Sequence, residues 1–277
     1  MSSTATGTDD PSQVAPYAQP MRLDHGTKAP LCVVLFHGLT NNPHQYGALA
    51  PQIFARGANV LVPRMPFHGY ADRLTDALAH LTAGGLIAAA NAAVDEAKSM
   101  GERVAVLGIS MGGLLCAQLA QHRSDVALSV PIAPDFGLLH FPRWLTGALD
   151  ALFMALPNYF LWWDPRVKAD LVPDTAYPRF ATHALFQTLR IGNGVYEAAK
   201  TAPAAAGRIV TIVNPNDPAV NNAAVKQVAD RWRRLRGDAV EYVEFEGLPV
   251  NHDIIDPGNP EARIDVVYPR LIEILYE

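Results

Sequence analysis

The chain has 277 residues, of which 49% are hydrophobic and 18% charged, with a net charge of −5. That composition excludes a disordered chain and suits one large α/β domain, or such a domain with an insertion. The charge balance excludes a broadly basic nucleic-acid binder. The one basic run, Arg231-Trp-Arg-Arg-Leu-Arg236, reads as the solvated face of a helix.

The start, MSSTATGTDDPSQ, has neither a basic n-region nor an apolar h-region, so no signal peptide is visible. Residues 1–20 are expected to form a flexible tail, and the cytoplasm is the expected compartment. Leu31–Phe36 is a continuously apolar strand, followed by helix signals over 42–56 and a second strand at 59–62. An alanine-rich helix is expected over 75–100, interrupted near Gly84-Gly85. Then come a strand at 103–107, a helix from Gly112 to His122 and a strand at 127–132. After a long gap follow a strand at 208–213, a helix at 219–235, a strand at 240–245 and a helix at 264–276. Alternating apolar strands and helices imply a mostly parallel sheet with helices on both faces. Cys32 and Cys116 both fall in apolar surroundings and read as small core residues, not as a disulfide framework.

The gap is too long for a loop. Residues 21–137 and 205–277 are assigned to the core, and residues 138–204 to an inserted helical cap. Residues 138–200 hold 11 of the 23 aromatics, which suggests an apolar roof over a pocket. A helix is expected near Trp144–Leu156. It is too short to span a membrane and is interrupted by Asp150. Trp144, Phe153, Trp162 and Trp163 are the candidate pocket residues.

The chemistry concentrates at Gly108-Ile-Ser-Met-Gly112, a G-x-S-x-G between a strand and a helix. Such a turn presents the Ser110 hydroxyl at the carboxyl end of the sheet and at a helix N-terminus, where free N–H groups favour developing negative charge. Phe36-His-Gly-Leu-Thr40 is a His-Gly turn after an early strand. Asn214-Pro-Asn-Asp-Pro-Ala-Val220 places an Asp after the next-to-last core strand, and Val250-Asn-His-Asp253 places a His after the last. On these four segments the sequence resembles the α/β-hydrolase family, in particular its small carboxylesterases and monoacylglycerol-lipase-like serine hydrolases. The resemblance covers about residues 30–135 and 205–277.

The resemblance implies an α/β-hydrolase fold and a triad of Ser110 as nucleophile, His252 as base and Asp217 as acid. It implies an oxyanion hole from the backbone N–H of Met111 and that of Leu39 or Thr40. Asp135, after the strand that follows the elbow helix, is the alternative acid. His37 and His68 are expected to be structural, His44 a rim residue, His140 and His183 cap residues, and His25, His80 and His122 surface residues. No H-E-x-x-H, paired C-x-x-C, G-x-G-x-x-G or P-loop is present, so neither a metal nor a nucleotide cofactor is expected. The expected partner is a small ester: an apolar substrate with a short-to-medium acyl chain or an aromatic group. Nucleic-acid binding and stable membrane insertion are not expected. The alternatives are a thioesterase, amidase or acyltransferase on the same triad, or a non-catalytic small-molecule-binding module.

Overall fold

The computed structural model of the protein describes residues 8–137 and 152–277. Its strands are β1 (Met21–Leu23), β2 (Ala29–Phe36), β3 (Asn59–Val62), β4 (Gly101–Ile109), β5 (Leu128–Ile132), β6 (Phe160–Trp162), β7 (Arg179–Ala181), β8 (Arg208–Val213) and β9 (Val240–Glu244). Seven of them form one sheet in the order β1-β3-β2-β4-β5-β8-β9. Only the edge strand β1 runs antiparallel, pairing Met21 with Val62. The other pairings, from β3 across to β9, are parallel.

The helices are α1 (Leu49–Phe54), α2 (Ala83–Met100), α3 (Met111–His122), α4 (Thr182–Ala198), α5 (Asn222–Arg236) and α6 (Ile264–Tyr276). Side chains alternate across a strand, and β2 shows the consequence. Cys32, Val34 and Phe36 enter the core shared with α2, α3, α4 and α5. Leu31, Val33 and Leu35 enter the opposite core, with α1 and α6. A strand buried on both faces cannot show a polar–apolar alternation, which is why LCVVLF reads as an unbroken apolar run. Each large aliphatic side chain buried this way contributes about 1.5–3 kcal/mol. Both cysteines are free and buried, and burial pushes the Cys32 thiol up to about 12.

Several boundaries differ from expectation for local reasons. Helix α2 starts at Ala83, not at residue 75, because the Thr82 hydroxyl caps Gly85 N–H; residues 77–80 form a separate 3-10 turn. Helix α5 starts at Asn222 because the Asn221 side chain caps Ala224 N–H. Residues 8–20, expected to be mobile, are pinned instead. Asp9 pairs with Arg64 at 2.7 Å, Ala15 N–H donates to Gly69 O at 2.9 Å, and Ala18 is fully buried.

The described part of the segment expected as a helical cap, residues 152–204, divides in two. Helix α4 packs on α3, where Gly192 lets it approach Asp135 O and Phe136 Cα, so it is a layer of the core. Ahead of it lie the antiparallel pair β6–β7 and an irregular strap between them, over residues 163–178. No helix among the described residues is long and apolar enough to cross a membrane.

Candidate active site

The parallel strands β2, β4, β5 and β8 end at one edge of the sheet, at Phe36, Ile109, Ile132 and Val213. Loops leaving strand ends on that edge carry the candidate residues, as expected for an open α/β sheet.

Ser110 is the residue between β4 and α3. Its backbone is at φ 57° and ψ −117°, a conformation that non-glycine residues rarely adopt. It is held there by its own N–H on Ile132 O at 2.9 Å and by Leu114 N–H on Ser110 O at 2.9 Å. The flanking glycines have a steric cause. A Cβ on Gly108 would lie 2.5 Å from Gly112 O, and one on Gly112 would overlap Phe36 O at the end of β2. The turn is thus wedged against the neighbouring strand, and Ser110 immediately precedes a helix whose first N–H groups lack intrahelical partners.

Asp217 follows β8. Its side chain is fully shielded, and Oδ1 accepts the N–H groups of Ala219 at 2.8 Å and Val220 at 3.3 Å. Oδ2 faces Nδ1 of His252 at 2.7 Å. His252 follows β9 with 26% of its side chain exposed. Burial works against an imidazolium there. The hydrogen bond to Asp217, its charge, and the charges of Asp253 and Asp135 outweigh that and raise the His252 pKa above its ordinary value. Asp135 lies on the same cavity, but the carboxylate bonded to the imidazole is that of Asp217.

Ser110, Met111, Leu39, Thr40, Asp135 and His252 all line one cavity of about 510 Å³. Its remaining wall is largely apolar and includes Leu171, Val172, Ala176, Leu185 and Val220. Such a volume is in the ordinary range for a small-molecule site. The sequence profile of the alpha/beta hydrolase family matches residues 33–262, which include the elbow, Asp217 and His252.

The chain belongs to the α/β-hydrolase family.

A thermostable monoacylglycerol lipase from Bacillus sp. (strain H-257) is 29% identical over 176 residues, which cover 63% of this chain and 65% of that protein. The match therefore spans less than two thirds of that relative's length. Among solved structures, one reported for the metagenome-derived lipolytic enzymes LipS and LipT superposes with a TM-score of 0.72 at 22% identity, covering 95% of this chain and 99% of the other. The monoacylglycerol lipase of Paleococcus ferrophilus superposes with a TM-score of 0.70 at 18% identity, covering 92% and 97%. At these identities the two structures speak for the fold.

The other histidines of this α/β-hydrolase sort by their bonds. His37 is fully buried; its Nδ1 bonds Gly38 O at 2.9 Å, and its Nε2 accepts Met65 N–H at 3.1 Å, so it is neutral and structural. His68 is also buried, with Nδ1 on Pro66 O at 2.8 Å, and burial pushes its pKa down to about 4. His44 lines a second, smaller cavity of about 350 Å³ beside the strap.

The predicted pocket aromatics fare unequally. Trp163 lines the cavity. Phe153 does not; it stacks on Phe186 with ring centroids 4.6 Å apart. Trp162, the last residue of β6, does not either; the cavity is lined by the next residue, Trp163, at the start of the strap. Trp144 and His140 lie outside the described residues.

Sequence reasoning missed the polar frame around the site. Gln45 accepts Gly38 N–H at 2.9 Å and donates to Asp253 Oδ2 at 2.7 Å, tying the His-Gly turn to the loop that carries His252. Asn41 reaches Asp253 and the buried Asp256. Arg73 gathers the strap, donating from Nε to Ala176 O at 2.8 Å and from Nη2 to Leu171 O at 3.1 Å. A cluster of three or more His, Cys, Asp or Glu able to hold a metal is not found among the described residues.

Proposed function

We propose that the protein is a serine hydrolase of carboxylic esters, working through Ser110, His252 and Asp217 and an acyl-enzyme. The observation that carries this reading is the 2.7 Å bond between His252 Nδ1 and Asp217, beside a strained Ser110 on the same cavity. With Nδ1 committed to the carboxylate, Nε2 is the nitrogen left to accept a proton. In the proposed cycle Nε2 takes the Ser110 proton as Oγ attacks the ester carbonyl. The tetrahedral oxyanion is met by backbone N–H groups of Met111 and of Leu39 or Thr40, each such donor being worth roughly 3–4 kcal/mol. His252 then returns the proton to the leaving alcohol, and water repeats the sequence on the acyl-enzyme.

The apolar wall of Leu171, Val172, Ala176, Leu185 and Val220 suits an apolar acyl or aromatic group of modest size. The lipase and esterase names of the relatives favour esters over amides as the first substrates to try. Steady-state kcat/KM over p-nitrophenyl esters of increasing acyl length, with a monoacylglycerol series beside them, tests the reading. Turnover that is highest for short-to-medium chains supports it, and absence of turnover on every ester rejects it.

A further inference from the structure

The strap over residues 163–178 touches the His-Gly turn at unusual places. Thr40 is a β-branched residue at φ 69°, a conformation its surroundings must hold. Two strap residues grip it directly. Tyr177 N–H donates to Thr40 O at 2.8 Å, and the indole N–H of Trp163 donates to Thr40 Oγ1 at 2.9 Å. The same hydroxyl donates onward to Leu39 O at 2.5 Å. Next along the turn, Asn42 Nδ2 donates to Thr175 O at 2.8 Å.

The bond to Leu39 O has a geometric consequence. Leu39 C=O and Thr40 N–H belong to one planar trans peptide unit and point in opposite directions. Fixing the carbonyl therefore aims the N–H. Gly38 N–H is taken by Gln45 and Asn41 N–H by Gly38 O, so the N–H groups of Leu39 and Thr40 are the donors of the turn to consider. Trp163 also lines the cavity and packs on Phe180 with centroids 4.2 Å apart, while Arg73 anchors the strap from behind. The indole thus has one face toward the cavity and its N–H on the group that orients the turn.

We propose that the strap sets the donor geometry of the oxyanion turn, with Trp163 as a positioning residue that acts through the Thr40 hydroxyl on the Leu39–Thr40 peptide. The proposal rests on the ester-hydrolase reading for its kinetic consequence, but not for its structural one. A substrate packed against the indole bears on the side chain that holds the turn, so the insertion contributes to rate as well as to fit.

The test uses Trp163→Phe, which keeps a ring and loses the N–H, Thr40→Val, which keeps the shape and loses the hydroxyl, and Thr40→Ser, which restores it. With p-nitrophenyl butyrate, Trp163→Phe and Thr40→Val should each lower kcat about tenfold to a hundredfold with KM within about twofold, since misaimed donors cost transition-state binding. The double variant should be no slower than the slower single one, and Thr40→Ser should recover most of the kcat that Thr40→Val loses. In the protein without substrate, amide hydrogen exchange in the peptide covering residues 37–46 should speed up in both loss variants at nearly unchanged Tm. A raised KM with unchanged kcat in Trp163→Phe, additive losses in the double variant, or unchanged exchange would overturn the proposal. Wild-type protein that turns over no ester refutes the hydrolase reading instead, and the exchange experiment then decides the strap by itself.

Discussion

Asp217 and His252 stand 2.7 Å apart although 35 positions separate them in the chain, because parallel pairing of β8 with β9 brings their following loops to one edge of the sheet. The carboxylate is locked by two backbone N–H groups, so it orients the ring without moving itself. Asp217→Asn should therefore cost roughly 10⁴-fold in kcat, the effect of holding a triad histidine in the wrong tautomer. Asp135→Asn, which removes a nearby charge but no bond to the imidazole, should cost far less. Steady-state kinetics of the two variants on one ester separates them, and the reverse ranking would assign the acid to Asp135.

The pH profile follows from the same pair. As the proposed base His252 can act only when neutral, and its pKa is raised above the ordinary imidazole value of about 6.5. Activity should fall on acidification, with the midpoint of the acid limb of kcat/KM above that value. Asp217→Asn removes the main influence raising it and should move the limb to lower pH. A limb that stays in place in that variant would mean another group titrates.

Asp256 is almost fully buried beside Asp253. Burial, then the Asp253 charge, pushes its carboxyl up to about 6 from the ordinary 3.8. Between those values the folded protein holds a proton that the unfolded chain has lost, so stability falls as pH rises through that window. Above it the penalty is complete. Asp256→Asn, which cannot ionise, should stabilise the protein by about 2–3 kcal/mol at pH 8 and by almost nothing at pH 4. Denaturant melts at the two pH values check this; an equal effect at both would mean that the carboxyl is not the source.

Substrate preference should be set by the cavity wall and not by the cap's own core. Phe153 stacks on Phe186 away from the cavity, so Phe153→Ala should lower Tm and leave the ratio of kcat/KM between long and short esters unchanged. Leu185→Ala, on the wall itself, should shift that ratio toward the bulkier ester by about 1–3 kcal/mol. A changed ratio for Phe153 with none for Leu185 would place the acyl group elsewhere.

Local signals carried the parts of this architecture that were readable in advance. Strands β2, β4 and β8 were legible as apolar runs because both faces are buried. The elbow was legible because only glycines fit where Gly108 and Gly112 meet each other and Phe36 O. The order Ser110, Asp217, His252 was implied by the family resemblance, in which each candidate follows a recognisable strand. The frame was not. Arg73 binds carbonyls about a hundred positions away, Gln45 reaches Asp253, and Trp163 reaches Thr40. Contacts to backbone carbonyls impose no residue pattern on the partner segment, so the strap looked like an aromatic-rich stretch suited to helices. The three-residue edge strand β1 is too short to show a period, and residues 8–20 are held by long-range contacts, the Asp9–Arg64 ion pair and the Ala15 N–H bond to Gly69 O among them.

The central claim is that Ser110 is a nucleophile activated by His252. The most direct measurement is intact and peptide mass spectrometry after treatment with a fluorophosphonate, which reacts with activated serines. The account predicts one adduct on the wild-type protein, located on the peptide containing Ser110, none on Ser110→Ala, and labelling of His252→Ala slowed by orders of magnitude. An adduct of equal yield on Ser110→Ala, or labelling of His252→Ala at the wild-type rate, would contradict it.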